Sequence, residues 1–355
     1  MPDLVVAGAG MAGLVAAAEA RKLGAGPLLV ERLGRPGGSM RLSSGVIWRH
    51  TDFERFRREC PGGDEVLQRL VFDRLDEDLR WLEALGAPVQ ARETGNPLTT
   101  GVRFDPAGLT RALAGAAGPI RLGTRLVEPP RRGLPLVLAT GGFGASRELL
   151  SRHVGPEAVH ALLRAASGSG GDGLRLGLAA GARSSAGLGE VYARAMPAPP
   201  ARVTAPDLVR LAQLYARHAE VTNERGESFR AATWSEIDVA QWMLRQPRAR
   251  ARFRVPLRAL GERLGDRSVG EMVAAAEAAG ALVRRNGEHV DVETVAGVTT
   301  TLGGLRIDRH GRAAPGVFAC GADAGGIATG GYASGLAAAL VLGRVAARSA
   351  LGVTP

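Results

Sequence analysis

Three glycines near the start of the chain have the spacing of a dinucleotide-binding turn. The stretch DLVVAGAGMAGLVAAAEARKLG places Gly8, Gly10 and Gly13 between an apolar strand pattern and a helical pattern. In such a turn the first glycine lets the chain reverse, the second lets backbone approach a pyrophosphate, and the third lets the helix pack on the strand. The helix N-terminus offers unpaired N–H groups and the positive end of its dipole. The spacing predicts a pyrophosphate site that also includes Met11 and Ala12.

An acidic residue follows at the distance that suits an adenosine ribose. The strand pattern PLLVER ends at Glu31, where a carboxylate can accept hydrogen bonds from both ribose hydroxyls. An acid at this place favours an unphosphorylated ribose, which means FAD or NAD and not NADP. The adjacent Arg32 is predicted to contact the same cofactor. A second match to the glycine pattern, GSGGDG at residues 168–173, follows a helical pattern and is not predicted to be a dinucleotide site.

Composition excludes several classes of protein. The 355 residues, 45% of them hydrophobic, can fill the core of two domains or of one domain with a large insertion. Only two cysteines are present, without a CxxC pair, and the six histidines are scattered. We therefore expect neither a disulfide framework nor a metal site.

The net charge of +10 raises the question of nucleic-acid binding, with RQPRARARFRVPLR at residues 245–258 as the densest basic run. A protein that binds single-stranded DNA or RNA usually supplies aromatic side chains on which the bases stack. The aromatic content here is 4%, so a solvated basic face is the favoured interpretation and no nucleic-acid partner is predicted.

The most apolar run, TGGYASGLAAALVLGRVAAR at residues 329–348, is interrupted by glycines and by Arg344 and Arg348. A bilayer span requires about 18 to 20 predominantly apolar residues, so this run is predicted to be a core helix and no membrane span is expected. The first strand pattern already begins at Leu4, with no leader before it, and we expect a cytoplasmic protein.

The segment after Glu31, RLGRPGGSMRLSSGVIW, resembles the flavin-binding region of the fumarate reductase and succinate dehydrogenase flavoprotein superfamily, which includes ketosteroid dehydrogenases. The resemblance implies that small residues let the backbone run along the ribityl chain and the isoalloxazine ring. The residues so assigned are Gly38, Ser39, Ser43, Ser44 and Gly45. Some members carry a histidine here that bonds covalently to the flavin. This segment has none before His50, so noncovalent FAD is expected.

Three further segments resemble the same superfamily. VLATGGFG at 137–144 implies a turn near the adenine side of FAD, formed by Thr140, Gly141 and Gly142. GSGGDG places Asp172 either as a helix N-cap or as a flavin contact, and both roles stay open. In GVFACGADAGG at 316–326, Asp323 is displaced from the usual acid position and would contact the ribityl chain only if the loop shifts.

The final helix carries the last cofactor assignment. By resemblance, its first turn at Ser334, Gly335 and Leu336 points at the pyrimidine edge of the flavin, where two backbone N–H groups would bind a carbonyl oxygen. The helix dipole would favour negative charge there.

The substrate side departs from the fumarate reductases. Thr300 stands where they have a histidine and Tyr332 where they have an arginine, so fumarate is not the expected substrate. Tyrosines in ketosteroid dehydrogenases polarise a carbonyl or accept a proton, and Tyr332 is the first catalytic candidate by that resemblance. A ring that only lines the pocket is the alternative. Tyr192 is the second catalytic candidate.

These patterns together predict an α/β protein, with a Rossmann-like FAD-binding domain (residues 1–190 and 298–355) and an inserted, mainly helical capping domain (residues 191–297). The expected function is FAD-dependent oxidation or reduction of a CH–CH or C=C bond next to a carbonyl, by hydride transfer with flavin N5. A small-molecule substrate and a separate electron donor or acceptor are implied. The alternative is a flavin-holding scaffold or partner protein that has lost turnover.

Overall fold

A computed structural model describes residues 1–130, 133–230 and 236–354. The chain divides into two compact units. The first comprises residues 1–146, 165–190 and 300–355, and the second comprises residues 147–164 and 191–299. Residues 147–164, which the sequence pattern assigned to the FAD-binding domain, thus belong to the second unit.

The strands are β1 Leu4–Ala7, β2 Pro27–Val30, β3 Val46–His50, β4 Val89–Ala91, β5 Thr99–Phe104, β6 Ile120–Arg121, β7 Leu136–Leu138, β8 Leu162–Leu163, β9 Val191–Pro197, β10 Glu220–Thr222, β11 Arg250–Pro256, β12 Arg263–Leu264, β13 Arg267–Ser268, β14 Val283–Asn286, β15 His289–Thr301, β16 Arg312–Ala314 and β17 Val317–Ala319. The α-helices are α1 Met11–Lys22, α2 Phe53–Glu59, α3 Glu65–Ala84, α4 Pro106–Ala117, α5 Arg147–His153, α6 Asp172–Ala179, α7 Asp207–Arg210, α8 Glu236–Met243, α9 Val269–Ala278 and α10 Gly335–Ala350.

The central sheet of the first unit has the strand order β16-β17-β7-β1-β2-β6. All neighbours pair in parallel except the edge pair β16 and β17. The sequence of β1, LVVA, is apolar throughout and all four residues are buried, as expected for a strand covered on both faces. Strand β1 lies between β2, which follows it through α1, and β7, which comes much later in the chain. Ligands of open parallel sheets bind where such connections diverge, at the carboxyl ends of the strands, which is where Gly8 lies.

Small residues let α1 and α10 pack closely beside this sheet. A methyl group built on Gly343 would lie 2.7 Å from the carbonyl oxygen of Ala12. The centre of α1 reads AGLVAAAEA, and all of it is buried. Residues 335–348 of the apolar run therefore lie in a core helix, as predicted, and residues 329–334 precede it. Among the described residues no helix is both long enough and apolar enough to cross a membrane.

A buried ion cluster joins three helices of the first unit. The Arg344 guanidinium on α10 donates to Asp78 on α3 and, at 3.1 Å, to Glu19 on α1. Arg348 also donates a hydrogen bond to Glu19, at 3.1 Å. Arg344 also lies 5.1 Å from the Trp81 ring. Glu19 and Asp78 are fully buried, so each carboxylate depends on these arginines for its charge balance.

Replacing the central arginine by an apolar residue, Arg344→Met, is expected to lower the free energy of unfolding by about 3 kcal/mol, because two carboxylates would remain buried without their main partner. Urea denaturation followed by circular dichroism measures the loss. The matched control is Arg348→Met, whose side chain is 26% exposed and which should cost much less. Equal losses in the two variants would show that burial does not set the strength of these ion pairs.

The same cluster gives a pH dependence. Burial raises the pKa of Asp78 from 3.8 to about 6, against the opposing effect of Arg344. A carboxyl with a raised folded-state pKa binds its proton more tightly in the folded protein. Its contribution to stability is therefore present below the unfolded pKa and is lost as the pH rises through about 6. We expect Asp78→Asn to show a smaller loss of stability over that interval than the wild type. Asp73→Asn, an exposed change on the same helix, should leave the slope unchanged.

The second unit contains helices and a mixed sheet, in which β8 pairs with β15 in parallel and the pairs of β10, β11, β14 and β15 are antiparallel. Strands β10, β11, β15 and β14 are neighbours in that order, and β8 and β9 also pair with β15. On β11 the arginines at 250, 252 and 254 alternate with buried Ala251, Phe253 and Val255. This alternation is the period of a strand with one buried face. Arg254 pairs with Asp291 through two hydrogen bonds of 2.9 and 3.1 Å, so part of the basic run is neutralised within the unit.

Candidate flavin site

The turn after β1 has two glycines that the backbone requires and one that faces open space. Gly8 has φ +104°, and a methyl group built on it would lie 2.2 Å from the Ala139 carbonyl oxygen. A methyl group on Gly13 would lie 1.7 Å from the Gly8 carbonyl oxygen. Gly10 has no atom within 4 Å of the corresponding position. The first two glycines close the turn, and Gly10 leaves room for a ligand.

Helix α1 begins directly at this open space. Its N-cap is Gly10, and no side chain caps the helix. The N–H groups of the first turn, on Met11, Ala12 and Gly13, have no partner within the helix because helix geometry supplies none there. Leu14 is the first residue whose N–H bonds to the Gly10 carbonyl, at 3.0 Å. The turn thus presents donors and a positive dipole end, which suit a pyrophosphate.

Glu31 is held rigidly at the end of β2. Its side chain accepts hydrogen bonds from the Ala9 N–H at 2.7 Å and from the Leu33 N–H at 2.8 Å, and the residue is 7% exposed. These bonds use one position on each oxygen, and an ionised carboxylate offers about four acceptor positions. Acceptor positions therefore remain for the ribose hydroxyls of an adenosine.

A pocket beside Glu31 is lined by Gly8, Arg32, Arg125, Thr140 and Asp172. These residues come from five separate segments of the first unit. The pocket therefore collects the glycine turn, the acid and the end of β7 around one space, where the adenosine half of a dinucleotide would lie.

Asp172 neutralises the arginines of this pocket. Arg125 donates two hydrogen bonds to it, at 2.8 and 2.7 Å, and Arg175 donates one at 3.0 Å. Burial alone would raise the pKa of Asp172, but the hydrogen bonds from both arginines outweigh burial and lower it. The N-cap alternative for Asp172 is wrong, because the cap of α6 is Gly171 and Asp172 is the first residue inside the helix. Gly171 takes that place because the cap has φ +85°, a conformation that glycine adopts without strain.

Asp323 is committed to the turn after β7. Its carboxylate accepts from the Thr140 N–H at 2.5 Å, the Thr140 hydroxyl at 3.1 Å and the Gly142 N–H at 3.0 Å. The residue is 1% exposed, and burial raises its pKa. A methyl group on Gly173 would lie 2.2 Å from this carboxylate. Asp323 thus fixes the shape of the predicted Thr140–Gly142 turn, and its contact with a ribityl chain stays a prediction.

The segment 38–45 lies against the glycine turn. A methyl group on Gly38 would be 3.1 Å from the Gly10 Cα atom, and one on Gly45 would be 2.0 Å from the Phe104 carbonyl oxygen. The Ser39 hydroxyl accepts from the Ala166 N–H at 3.0 Å, and the Ser43 hydroxyl accepts from the Gly45 N–H at 3.1 Å. Ser44 is exposed. The small residues predicted along the ribityl chain therefore continue directly from the pyrophosphate turn.

The start of α10 provides a second helix N-terminus with unused donors. Ser334 is the N-cap, and its hydroxyl accepts from the Ala337 N–H at 3.3 Å. The N–H groups of Gly335 and Leu336 have no partner within the helix. No atom lies within 4 Å of a methyl group built on Gly335. The predicted flavin carbonyl contact therefore has both donors and space.

Tyr332 lies just before this helix, on a group of aromatic rings. Its ring centre is 5.7 Å from that of Trp48, and Trp48 is 5.3 Å from His50. His50 in turn lies 5.4 Å from Phe56. The partly exposed phenol is thus held by a rigid support on β3 and α2.

His50 was missed as a site residue by sequence reasoning. It is 6% exposed, and burial lowers its pKa, while the nearby Tyr332 backbone opposes that shift. Neither ring nitrogen reaches hydrogen-bonding geometry with a described group. The available signal was a histidine in the strand that directly follows the SSG segment.

Tyr192 belongs to the second unit. The Arg194 side chain donates to the Tyr192 hydroxyl oxygen at 3.0 Å, and its guanidinium lies 5.1 Å from the Tyr192 ring centre. Glu236 is a further ionisable residue of this unit that the sequence did not reveal. Burial raises the pKa of Glu236 to about 7, although the charge of Arg194 opposes this rise. The Glu236 carboxylate accepts a hydrogen bond from the Ala216 N–H at 3.0 Å.

Comparison with known proteins agrees with this arrangement. A family model described as FAD binding domain matches residues 3–128 and 132–336. The chain therefore belongs to the FAD-binding domain family, and FAD is its cofactor. Among proteins with curated descriptions, none matches the sequence significantly.

Solved structures share the fold at low sequence identity. A flavocytochrome c3 fumarate reductase in an open conformation has a TM-score of 0.74 and 19% identity, over 99% of this chain and 78% of that one. The 3-ketosteroid delta4-(5alpha)-dehydrogenase of Rhodococcus jostii RHA1 has a TM-score of 0.71 and 18% identity, over 99% of this chain and 96% of that one. The 3-ketosteroid delta1-dehydrogenase of Sterolibacterium denitrificans has a TM-score of 0.73 and 14% sequence identity, over 99% of each chain. The predicted superfamily and α/β fold class are confirmed.

Proposed function

We propose that the protein is a FAD-dependent oxidoreductase that acts on a CH–CH or C=C bond next to a carbonyl. When bound, FAD supplies the hydride acceptor or donor at N5. The observation that carries the proposal is the position of Tyr332. Its phenol lies two residues before an N-cap whose helix presents free N–H groups at Gly335 and Leu336.

Residues of this chain suit four parts of FAD. The first turn of α1 would hold the pyrophosphate, Glu31 the adenosine ribose and the segment 38–45 the ribityl chain. Gly335 and Leu336 would donate to the pyrimidine edge. The first histidine after the segment 38–45 in the sequence is His50, which is buried among Trp48 and Phe56. This packing supports noncovalent binding.

The proposed role of Tyr332 follows from its chemistry. A phenol can donate a hydrogen bond to a substrate carbonyl, or can accept a proton when a neighbouring C–H bond breaks. Polarising the carbonyl stabilises the negative charge that develops on its oxygen during hydride transfer. We place Tyr192 as the second proton-transfer candidate, with Arg194 donating to its hydroxyl oxygen at 3.0 Å. The second unit would serve as the capping domain that excludes water.

The substrate side argues against fumarate. Thr300 and Tyr332 occupy the places where the resemblance would put a histidine and an arginine, so two cationic groups for a dicarboxylate are missing from those positions. A neutral or singly charged enone is the better match. The electron donor or acceptor is proposed to be a separate molecule.

The test is anaerobic. The purified protein is reduced and then mixed with 2-cyclohexenone, 4-androstene-3,17-dione or fumarate, and the return of the flavin's visible absorbance is followed. Rapid reoxidation by an enone, with none by fumarate, is expected. If neither enone reoxidises the reduced flavin, the scaffold alternative is favoured.

A further inference from the structure

We propose that a basic groove on the first unit binds a small polyanion with two or more phosphate or carboxylate groups. The groove has a volume of about 490 Å³, and its basic residues are Arg183, Arg306, Arg309 and Arg312. This volume lies within the roughly 300–1,000 Å³ typical of small-molecule sites. It shares no lining residue with the pocket that contains Gly8 and Glu31. The site is therefore separate from the adenosine pocket and is not needed for the proposed oxidoreductase function.

Most guanidinium donors of the groove are available for a ligand, whereas the Nε of Arg309 donates to His310 Nε2 at 3.2 Å. All four residues are exposed. In the described ranges of the chain, none of them forms an ion pair with a carboxylate, whereas many other arginines of this protein do so. A guanidinium presents a planar set of donors that matches phosphate or carboxylate oxygens. Four such groups around one groove create a local positive potential that attracts a multiply charged anion.

The two acids of the groove offset only part of this charge, and backbone N–H groups hold both carboxylates in place. The Asp64 carboxylate accepts from the Leu67 N–H at 3.1 Å and caps α3. The Asp308 carboxylate accepts from the N–H groups of His310 and Arg312, both at 2.9 Å. Four arginines against two aspartates leave the lining with an excess of positive charge.

A further feature favours a small organic anion. The apolar side chains of Val66, Leu67 and Ile307 form part of the wall, with Val66 58% exposed. They would cover the carbon skeleton of a ligand, while the arginines hold its charged groups.

Calorimetric titration of the FAD-loaded protein with pyrophosphate and with citrate tests this site. Saturable binding of at least one probe is expected, and it should weaken as ionic strength rises. Binding of pyrophosphate alone would identify phosphate as the recognised group, and binding of citrate alone would identify carboxylate. Failure of both probes to bind would overturn the proposal.

The double variant Arg183→Ala/Arg309→Ala should weaken binding about tenfold or more, because half of the charged donors are removed. The control is Arg258→Ala/Arg284→Ala, which removes the same charge from two exposed positions of the second unit. It should bind like the wild type. Equal weakening in both double variants would show a general charge effect and would contradict a specific site.

The flavin spectrum, recorded in each titration, should stay unchanged. Displacement of flavin would show that the probe occupies the cofactor cleft, which would also contradict the proposal.

Discussion

The variant Gly10→Val is expected to fold but to lose FAD. Gly10 has φ −79° and ψ −167°, which any residue adopts, and no atom lies within 4 Å of an added methyl group. The valine side chain would therefore fit the protein and occupy the space of the pyrophosphate. Loss of two charge-assisted hydrogen bonds corresponds to a weakening of about 10³-fold. Titration of the apoprotein with FAD, followed by flavin fluorescence, measures the effect.

Two further glycine variants make this result specific. Gly115→Ala changes an exposed glycine inside α4 with free space around it, and it should bind FAD normally with slightly higher stability. Gly13→Val should fail to fold, because its side chain would overlap the Gly8 carbonyl oxygen. Normal FAD affinity in a folded Gly10→Val protein would show that the pyrophosphate does not approach this glycine.

The second large effect is expected at the proposed catalytic phenol. Tyr332→Phe keeps the ring against Trp48 and removes only the hydroxyl. Because the hydroxyl would polarise the substrate carbonyl or relay a proton, kcat should fall about 10²- to 10⁴-fold. The visible spectrum of the bound flavin should stay the same. Single-turnover reoxidation of the reduced protein by the best enone measures the change.

Tyr215→Phe is the matched control for the loss of a phenol hydroxyl. Tyr215 is fully buried in the second unit, and its hydroxyl donates to Gln213 at 2.8 Å. Its removal should cost about 1 kcal/mol of stability and leave kcat unchanged. An unchanged kcat in Tyr332→Phe would assign the ring to the pocket wall. Equal kcat losses in both variants would point to a general loss of structure.

The local parts of the fold and the site were predictable from sequence. Gly8, Gly10, Gly13 and Glu31 follow a pattern that is short in sequence, because one strand, one turn and one helix impose it. The structure gives a steric reason for Gly8 and for Gly13, and it leaves open space beside Gly10. The final helix was predictable as a core helix because its arginines and glycines exclude a membrane span, and the structure adds that Arg344 joins a buried ion cluster.

The missed features depend on contacts between distant segments. Asp172 gains Arg125 as a partner across 47 positions, and Asp323 bonds to Thr140 across 183. No local pattern encodes such pairs. His50 became a candidate only because folding places its ring among Trp48 and Phe56, close to the backbone of Tyr332. The raised pKa of Glu236 likewise results from burial, which composition does not reveal.

The measurement that tests the central claim most directly is the release of cofactor from the isolated protein. The protein should be yellow as purified, and acid precipitation should move all of the flavin into the supernatant, where chromatography identifies it as FAD. A colourless protein that stays colourless after incubation with FAD would contradict the site built from Gly10, Glu31 and Gly335. Flavin that remains with the precipitate would contradict noncovalent binding.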